Sequence, residues 1–542
     1  MSAAGDGHQG QWRIKKRRTA KRGTPGILPK KITWSVPRKP SFGKKAVIVR
    51  LLFLLVLLYA LAMIFPLGIA AFCSEKDMLS GFGLTMILSA AVSVPVLILT
   101  RKLPLRFTAS DGFMLVFLAW AAACFLGALP YFIAGRIPHF ADAVFESVSG
   151  FTTTGTSIIK DVEAMPRSLL FWRAETHWLG GMGMVVLTVA IFPFLGVGGF
   201  QMLKAETPGP DKDRITPKIT ETAKLLWLIY ISLTAIETVL FVFAGMGWFD
   251  AITHAFSTMA TGGFSSRNNG LAYWNSPAVD WIAAVFMLVA GFNFTLLFRL
   301  MQRRWKEVWY NSEAKAYLLI VLVSAAICAV SFMRSDWKPA VVGALPEYSG
   351  GDIPPVKSIG TSVRLAFFYT VSIITTTGFS TTGQGLLTPL AKGVFFILMF
   401  IGGCSGSTAG GVKVIRHVVL FKQSGNELKK ILYPRGVFSV RLNNKVGRKD
   451  VVYGVAGFIF LYLVLAAVSA LVVAGSGLNH LTSFSLALIS LGNIGLDPGL
   501  VEQVAIVAAL PDYVKWVLSF VMIAGRLELW AAIVFLSRDY WR

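Results

Sequence analysis

Uninterrupted apolar runs of about 20 residues recur along the whole chain, the length a helix needs to cross a bilayer. This pattern constrains the fold more than any motif, because a backbone in lipid must satisfy its own hydrogen bonds. Ten full spans are predicted, near 46–72, 78–100, 112–134, 169–199, 223–246, 279–302, 316–333, 389–412, 451–474 and 513–537. Composition agrees: 15% of the 542 residues are charged, against about 25% in soluble proteins. A soluble enzyme and a secreted disulfide scaffold are excluded, and the chain reads as an all-α polytopic membrane protein. Cys73, Cys124, Cys328 and Cys404 are far apart with no CxxC pair, which leaves no metal or redox signature. They read as small apolar residues inside helices.

The net charge of +24 would suit nucleic acid only if it lay on a soluble face. Residues 1–50 hold 14 Lys or Arg and one acid, Asp6. A tail over 1–45 containing Lys15, Lys16, Arg17, Arg18, Lys21 and Arg22 cannot bury itself, so it is expected to be disordered. Beside a span it reads as a cytoplasmic retention signal touching anionic lipid rather than as a nucleic-acid arm. A secretory signal does not fit an apolar run that begins only near Ala46, while an organellar transit peptide stays an alternative. With the N-terminus inside, segments 1–50, 101–111, 201–224, 299–315, 413–450 and 538–542 face the cytoplasm. They carry 39 of the 52 basic residues and 11 of the 28 acidic ones. The whole positive excess then lies on one side, and both termini are predicted cytoplasmic.

Between several spans lie stretches too polar to cross and too apolar for ordinary loops. Four look alike: Phe145-Glu-Ser-Val-Ser-Gly-Phe-Thr-Thr-Thr-Gly-Thr156, Phe256-Ser-Thr-Met-Ala-Thr-Gly-Gly-Phe264, Tyr369-Thr-Val-Ser-Ile-Ile-Thr-Thr-Thr-Gly-Phe379 and Leu488-Ile-Ser-Leu-Gly-Asn-Ile-Gly-Leu496. Their aligned glycines, Gly155, Gly263, Gly378 and Gly495, are 108, 115 and 117 residues apart. That interval holds a span, a re-entrant segment and a second span. Non-helical backbone at membrane depth survives only where protein buries it or where it lines a wet path. Four such strands around one axis make rings of carbonyls that replace an ion's hydration shell. The hydroxyls of Thr153, Thr154, Thr376 and Thr377 are candidates to add to those rings. Ordinary Thr-Gly turns are the plainer alternative, and four in register argue against it.

Five glycines, Gly402, Gly403, Gly406, Gly410 and Gly411, interrupt the apolar run at 389–412. Each costs a helix interior about 1 kcal/mol relative to alanine, so a continuous helix is not expected there; close helix packing is the alternative. The spacing fails GxxxxGK[ST], so no phosphate loop is read here, and Gly196-Val-Gly-Gly199 is no dinucleotide fingerprint. Arg526 falls midway along the last predicted span, where a cation is costly and usually functional. It reads either as facing a pore or as an ion pair with another helix; Glu528, two residues on, does not share its face. Glu237, and Glu175 with His177, read as salt-bridge or interfacial groups. Lys413 and Arg416 are expected to snorkel to the cytoplasmic edge.

From about Ala46 to the C-terminus the chain resembles the potassium-translocating subunits of the Trk/Ktr/HKT superfamily, its TrkH-like branch most. Besides the four segments, the resemblance rests on His177-Trp-Leu-Gly-Gly-Met-Gly-Met184, Leu203-Lys-Ala-Glu-Thr-Pro-Gly209, Ile401-Gly-Gly-Cys-Ser-Gly-Ser-Thr-Ala-Gly-Gly-Val-Lys413 and Gly525-Arg-Leu-Glu528. It implies four pseudo-symmetric span–pore-loop–span repeats around one central pore, plus two extra N-terminal helices. The tail would cover 1–45, the accessory helices 46–106, and the repeats 107–215, 216–312, 313–445 and 446–542. The filter would be Thr153-Thr154-Gly155-Thr156, Thr261-Gly262-Gly263-Phe264, Thr376-Thr377-Gly378-Phe379 and Asn493-Ile494-Gly495-Leu496. K+ would sit at Thr153, Thr154, Thr261, Gly262, Thr376, Thr377, Asn493 and Ile494. Relatives that favour sodium can carry serine at the position of Gly155, so glycine implies K+, with Rb+ and imperfect rejection of Na+. The Asn and Ile of the fourth segment depart from the pattern and imply weaker selectivity.

The resemblance further implies an intramembrane gate made by Gly402, Gly403, Cys404, Ser405, Gly406, Ser407, Gly410 and Gly411 with Arg526. The partners it implies are a second copy of the chain, membrane lipids and a cytosolic TrkA-like ring of nucleotide-binding subunits, with no nucleic acid. The basic segments 299–315 and 413–450 would dock that ring, although solvated positive-inside loops explain them equally. K+ is the transported ion, no nucleotide site is read on this chain, and the place is a bacterial inner membrane. The function expected is gated, channel-like K+ uptake. A K+ symporter coupled to H+ or Na+ is the alternative, with Glu237 as the one intraspan acid away from helix ends. A membrane enzyme is disfavoured, since no metal cluster or Ser/His/Asp arrangement is read at membrane depth.

Overall fold

The computed structural model describes residues 42–102, 109–186, 219–334, 358–381, 387–443, 445–446, 449–495 and 503–533, all within a unit spanning Pro40–Trp541. The basic tail up to residue 41, the motif at 203–209, the glycines at 196–199, the later part of the 169–199 span and Leu496 lie outside the described residues.

Six helices among the described residues are long and apolar enough to cross a membrane: Val47–Phe72, Lys76–Thr100, Gly112–Ile133, Lys224–Phe243, Ser312–Arg334 and Val451–Ala474. Their outer faces carry large apolar side chains such as Ile87, Leu99, Leu319 and Leu471, as lipid contact requires. The first of them breaks at Met63, giving Phe42–Ala62 and Ile64–Phe72. Pro66 has no N–H for the carbonyl of Ala62, which is where a helix must interrupt. Phe42 also starts this helix inside the stretch expected to be tail.

Three of the remaining predicted spans differ from straight helices, while 169–199 is helical over its described part, Arg167–Val186. The run at 279–302 is two helices, Pro277–Ala290 and Phe294–Met301, bent by 102° and a seventh span only if counted together. Asn293 makes the bend, its Oδ1 accepting the N–H groups of Thr295 at 2.8 Å and Leu296 at 3.1 Å as an N-cap. The run at 389–412 is helical only over Pro389–Leu398, and the chain resumes as the helix Val414–Leu432. The last run is helical over Asp512–Arg526, turns through Glu528 and Leu529 at φ 54° and 63°, and restarts as Trp530–Ile533. Arg526 therefore ends a helix instead of lying midway along one. A two-residue hairpin, with Arg441 opposite Val446 and Leu442 opposite Lys445, packs Leu442 against Ile415 and Val419 of Val414–Leu432.

Four shorter helices, Phe140–Phe151, Trp248–Met259, Ile359–Ile374 and His480–Gly492, lie deep in the protein. All four stop in the same way. A left-handed residue follows each, Thr153, Thr261, Thr376 and Asn493, at φ 53°, 56°, 58° and 52°. The next N–H reaches back five residues: Thr154 to Ser149 O, Gly262 to Ser257 O, Thr377 to Ser372 O and Ile494 to Ile489 O, at 2.8–3.0 Å. The left-handed residue itself reaches back three, to Gly150, Thr258, Ile373 and Ser490. Together these bonds form a Schellman closure, in which asparagine is the best non-glycine occupant. Asn493, the residue that departs most in sequence, thus holds the same backbone as the three threonines. Two residues later Gly155, Gly263, Gly378 and Gly495 take φ 75–81°.

The first of these helices is braced by a buried ion pair. Glu146 Oε1 accepts Arg173 Nε at 2.8 Å and Ser157 Oγ at 2.9 Å, and Oε2 accepts the Ile158 N–H at 3.0 Å. Glu146→Gln would leave Arg173 as a buried charge without its counter-ion, at a cost of about 3–5 kcal/mol. The expected outcome is a clear drop in the thermal unfolding temperature of the detergent-solubilised protein, larger than that of Glu163→Gln at the surface.

Candidate functional site

Three of the four glycines are packed against a neighbouring segment's carbonyl. A Cβ on Gly155 would strike the carbonyl of Gly262, one on Gly263 that of Thr377, and one on Gly495 that of Thr154. Segment one therefore lies against two, two against three, and four against one. In each case the carbonyl belongs to the residue just before the neighbouring glycine. No other residue fits at this approach and at φ near 80°. Polar backbone is thus gathered where the helices end, and its carbonyls are the local surplus of negative potential.

Behind this backbone the braces differ. Arg173 spans segments one and two, its guanidinium 4.0 Å from the centre of the Phe264 ring and its Nη1 3.3 Å from Ser265 O. In segment two His254, which occupies the place of Glu146, lies with Nε2 2.9 Å from Ser265 Oγ. Asp250 there accepts Ser266 Oγ at 2.5 Å and Arg267 Nη2 at 2.8 Å. In segment three Ser372 Oγ donates to Phe379 O at 2.8 Å, and Thr381 Oγ1 to Asp280 Oδ1 at 2.5 Å. In segment four Gln503 Nε2 donates to Gly495 O at 2.8 Å. Sequence reasoning missed these props; the one shared signal was a polar residue nine before the first two aligned glycines, Glu146 and His254, which the third and fourth replace by Tyr369 and Leu486.

Of the four hydroxyls expected to line the path, three are engaged inside the protein. Thr154 Oγ1 is 2.7 Å from Thr152 Oγ1 and accepts Asn493 Nδ2 at 2.9 Å, and Thr377 Oγ1 is 2.7 Å from Thr375 Oγ1. Thr153 Oγ1 is buried with no partner among the described residues. Thr376 Oγ1 accepts the N–H of Gly410 at 2.7 Å.

That last bond brings in the glycine-rich stretch, which is non-helical from residue 401 to 413. Its ends meet where Gly402 N–H donates to Val412 O at 2.8 Å. Surrounding elements hold the rest. Cys404 N–H donates to Gly291 O at 2.9 Å, Asn293 Nδ2 to Ser405 O at 2.6 Å, and Phe294 N–H to Gly406 O at 3.2 Å. Glu313 Oε1 accepts the Ser405 N–H at 2.5 Å, a role no sequence signal marked. Thr408 Oγ1 donates to Met259 O and Ala290 O, both at 3.1 Å. Arg526 donates from Nη1 to Thr408 O at 2.7 Å and from Nη2 to Gly180 O at 3.1 Å. The structure thus brings Gly402, Gly403, Cys404, Ser405, Gly406, Ser407, Gly410 and Gly411 together with Arg526, beneath segments three and four. Arg526 is bound by carbonyls rather than by the carboxylate of another helix.

Three expectations are corrected. Lys413 does not snorkel: it is buried and its Nζ donates to Ala409 O. Arg416 is buried too, paired with Glu528 and stacked 3.7 Å from the centre of the Phe458 ring; glycine-rich backbone below the segments gives both a carbonyl-lined or acidic interior to occupy. Glu237 is neither bridged nor interfacial. It is fully buried, and its carboxyl oxygens find no partner among the described residues, Thr258 Oγ1 donating instead to His254 O. Glu175 and His177 are buried as well; the His177 ring stacks on Phe264 at 4.1 Å and fills the space a side chain at Gly262 would need.

Asn293 caps one helix and holds the loop at once. Asn293→Ala is expected to cost about 1 kcal/mol as a lost cap and to speed amide exchange at 402–411, read by mass spectrometry, while exchange in Val451–Ala474 stays unchanged.

Comparison with known proteins fits this geometry. The cation transport protein family TrkH matches residues 80–541. The chain is 36% identical over 500 residues to the Trk system potassium uptake protein TrkH of Escherichia coli K12, covering 91% of this chain and 99% of that one. It is 34% identical over 492 residues to TrkG of the same organism, covering 90% and 97%. The crystal structure of the potassium transporter TrkH from Vibrio parahaemolyticus superposes with a TM-score of 0.79 at 33% identity, over 92% of this chain and 100% of that one. With most of its length matched in sequence and in structure, the chain belongs to the TrkH family of cation transport proteins.

Proposed function

We propose that this chain takes up K+ across the bacterial inner membrane as the translocating subunit of a Trk system, a transporter and not an enzyme. Its relatives are named as potassium uptake proteins, and its apolar helices suit a membrane. K+ passes down its electrochemical gradient through carbonyl rings made by 153–155, 261–263, 376–378 and 493–495. The four pore repeats are those bounded above, preceded by two accessory helices and the cytoplasmic tail. The observation that carries this reading is the head-to-tail approach of Gly155, Gly263 and Gly495 to the carbonyls of Gly262, Thr377 and Thr154. Oxygens already held by the fold replace water around an ion without rearrangement. The loop at 401–413 obstructs the path below, and Arg526 holds it there while its charge discourages cations from resting. A homodimer and a cytosolic nucleotide-binding ring docking on 299–315 and 413–450 complete the proposal; both termini are cytoplasmic.

The test is cation flux in proteoliposomes holding the purified chain, with K+, Rb+, Na+ and choline compared under a clamped diffusion potential. Flux of K+ and Rb+ well above Na+ without a proton gradient is expected. Gly155→Ser adds a side chain where Gly262 O now lies. It should lower the K+ to Na+ permeability ratio about tenfold, equivalent to ~1.4 kcal/mol. An unchanged ratio removes Gly155 from the filter.

One observation favours a second reading, symport with H+: the buried Glu237 carboxyl without a partner. Channel-like flux needs no proton carrier, and glutamine keeps the shape of this side chain. Glu237→Gln is therefore expected to keep gradient-driven K+ flux. Loss of flux in the variant, together with wild-type uptake that requires a pH gradient, establishes coupling instead.

A further inference from the structure

Four side chains share one position, the left-handed residue that closes each buried helix, and they are used differently. Thr261 Oγ1 donates to Ala260 O at 2.6 Å, within its own segment. Asn493 donates from Nδ2 to Thr154 Oγ1 at 2.9 Å and to Met522 O at 3.0 Å, and its Oδ1 has no partner among the described residues. Thr153 Oγ1 has none either. Thr376 alone among these four is bound from the glycine loop, by the Gly410 N–H at 2.7 Å.

The contact around that bond is close. A Cβ on Gly410 would lie 2.9 Å from Asn493 Cβ, and one on Gly411 3.5 Å from Thr376 Cγ2. The loop thus rests directly on the inner ends of segments three and four, with no layer between them. Withdrawing it must break the Gly410–Thr376 bond. The hydroxyl oxygen of Thr376 then joins Thr153 Oγ1 and Asn493 Oδ1 as a third acceptor without a donor at the same backbone position. Buried acceptors of this kind require a donor or a cation.

We propose that Thr376 couples the gate to the filter: the Gly410 N–H and a permeant cation compete for the Thr376 hydroxyl oxygen, so that K+ at the inner end of the filter favours the open loop. The proposal rests on the loop being the gate. A ligand shifts a two-state equilibrium only by its difference in affinity for the two states, and here K+ meets a free acceptor in one state and an occupied one in the other. Permeant-ion concentration therefore sets opening as well as current.

The test is open probability of the purified full-length chain in planar bilayers, with K+ raised symmetrically tenfold. Wild type and Thr376→Ser, which keeps a hydroxyl, are expected to open several-fold more often at high K+. Thr376→Val, which keeps shape and loses the oxygen, is expected to open more at low K+ and to lose the response. A purely structural role for the hydroxyl would change the number of active channels and leave the K+ dependence intact, and that result overturns the coupling. Gly403→Ala separates the two levels of the argument, since its Cβ would press on Gly291 O and Ala409 Cβ, 2.8 and 2.6 Å away. If it alters opening while Thr376→Val keeps the wild-type response, the coupling is wrong and the gate stands. If neither variant alters opening, the gate assignment itself falls.

Discussion

Four helices that stop inside the protein leave carbonyls and N–H groups where water does not reach, and everything else in this structure answers that constraint. The C-terminal end of a helix leaves about four carbonyls without an intrahelical partner, and each unsatisfied one is costly in an apolar surround. The Schellman closure at Thr153, Thr261, Thr376 and Asn493 satisfies the carbonyls of the last turn. It also reverses the chain, so the residues that follow present their own carbonyls sideways. β-branched residues in a left-handed backbone are strained, by about 1–2 kcal/mol each, and three of the four closures accept that strain. Such strain persists where the surroundings over-determine the conformation. Here Gly155 and Gly263, each pressed against a neighbour's carbonyl, do the determining after Thr153 and Thr261, and the Gly410 N–H holds Thr376.

The repeats keep this backbone and diverge in what supports it. Segment one is held by a buried carboxylate and guanidinium, segment two by an imidazole and a largely buried ion pair, segment three by serine and threonine hydroxyls with the Asp280 carboxylate, and segment four by a glutamine amide. Charged braces hold geometry more stiffly than neutral ones, because charge-assisted hydrogen bonds are shorter and roughly twice as strong. The supports of the four segments are accordingly not equivalent: the first two are clamped together through Arg173, and the fourth is held through the neutral amides of Gln503 and Asn493.

Much of this was legible in the sequence, and the limits have a physical cause. Apolar runs gave the long helices, because crossing a bilayer needs nothing but length and hydrophobicity. The four glycines gave the turning points, because positive φ and close approach leave only one residue type. Breaks at Met63 and Asn293 were missed: each depends on a single proline or cap inside a run that stays apolar throughout. The positions of Lys413, Arg416 and Glu237 were misjudged for a related reason. Snorkelling and salt bridging follow from a side chain's length and charge, whereas burial depends on which interior the glycine loop opens beside it. Glu313 gave no signal because an acid in a helix's first turn is ordinary; only the fold brings Ser405 to it.

The loop at 401–413 also sets the scale of what must act on it. Backbone groups from Cys404 to Gly410 are tied to Gly291, Asn293, Phe294, Glu313, Thr376 and Arg526, residues from four separate parts of the chain. A typical intramolecular hydrogen bond contributes about 0.5–1.5 kcal/mol net, and those to charged groups about 1.5–3. Two of these six partners are charged, so the closed arrangement is held by several kcal/mol before the open one regains any of it. Moving an equilibrium from 1:99 to 99:1 takes about 5.5 kcal/mol of differential affinity. Under the gating proposed above, an ion competing for one hydroxyl supplies a part of that, and a partner that grips the two states differently would supply the remainder. The helix Val414–Leu432 runs directly out of the loop, begins beside the buried Lys413 and Arg416, and ends in the exposed Leu428, Ile431 and Leu432. A rigid helix thus leads from the loop to an exposed apolar end.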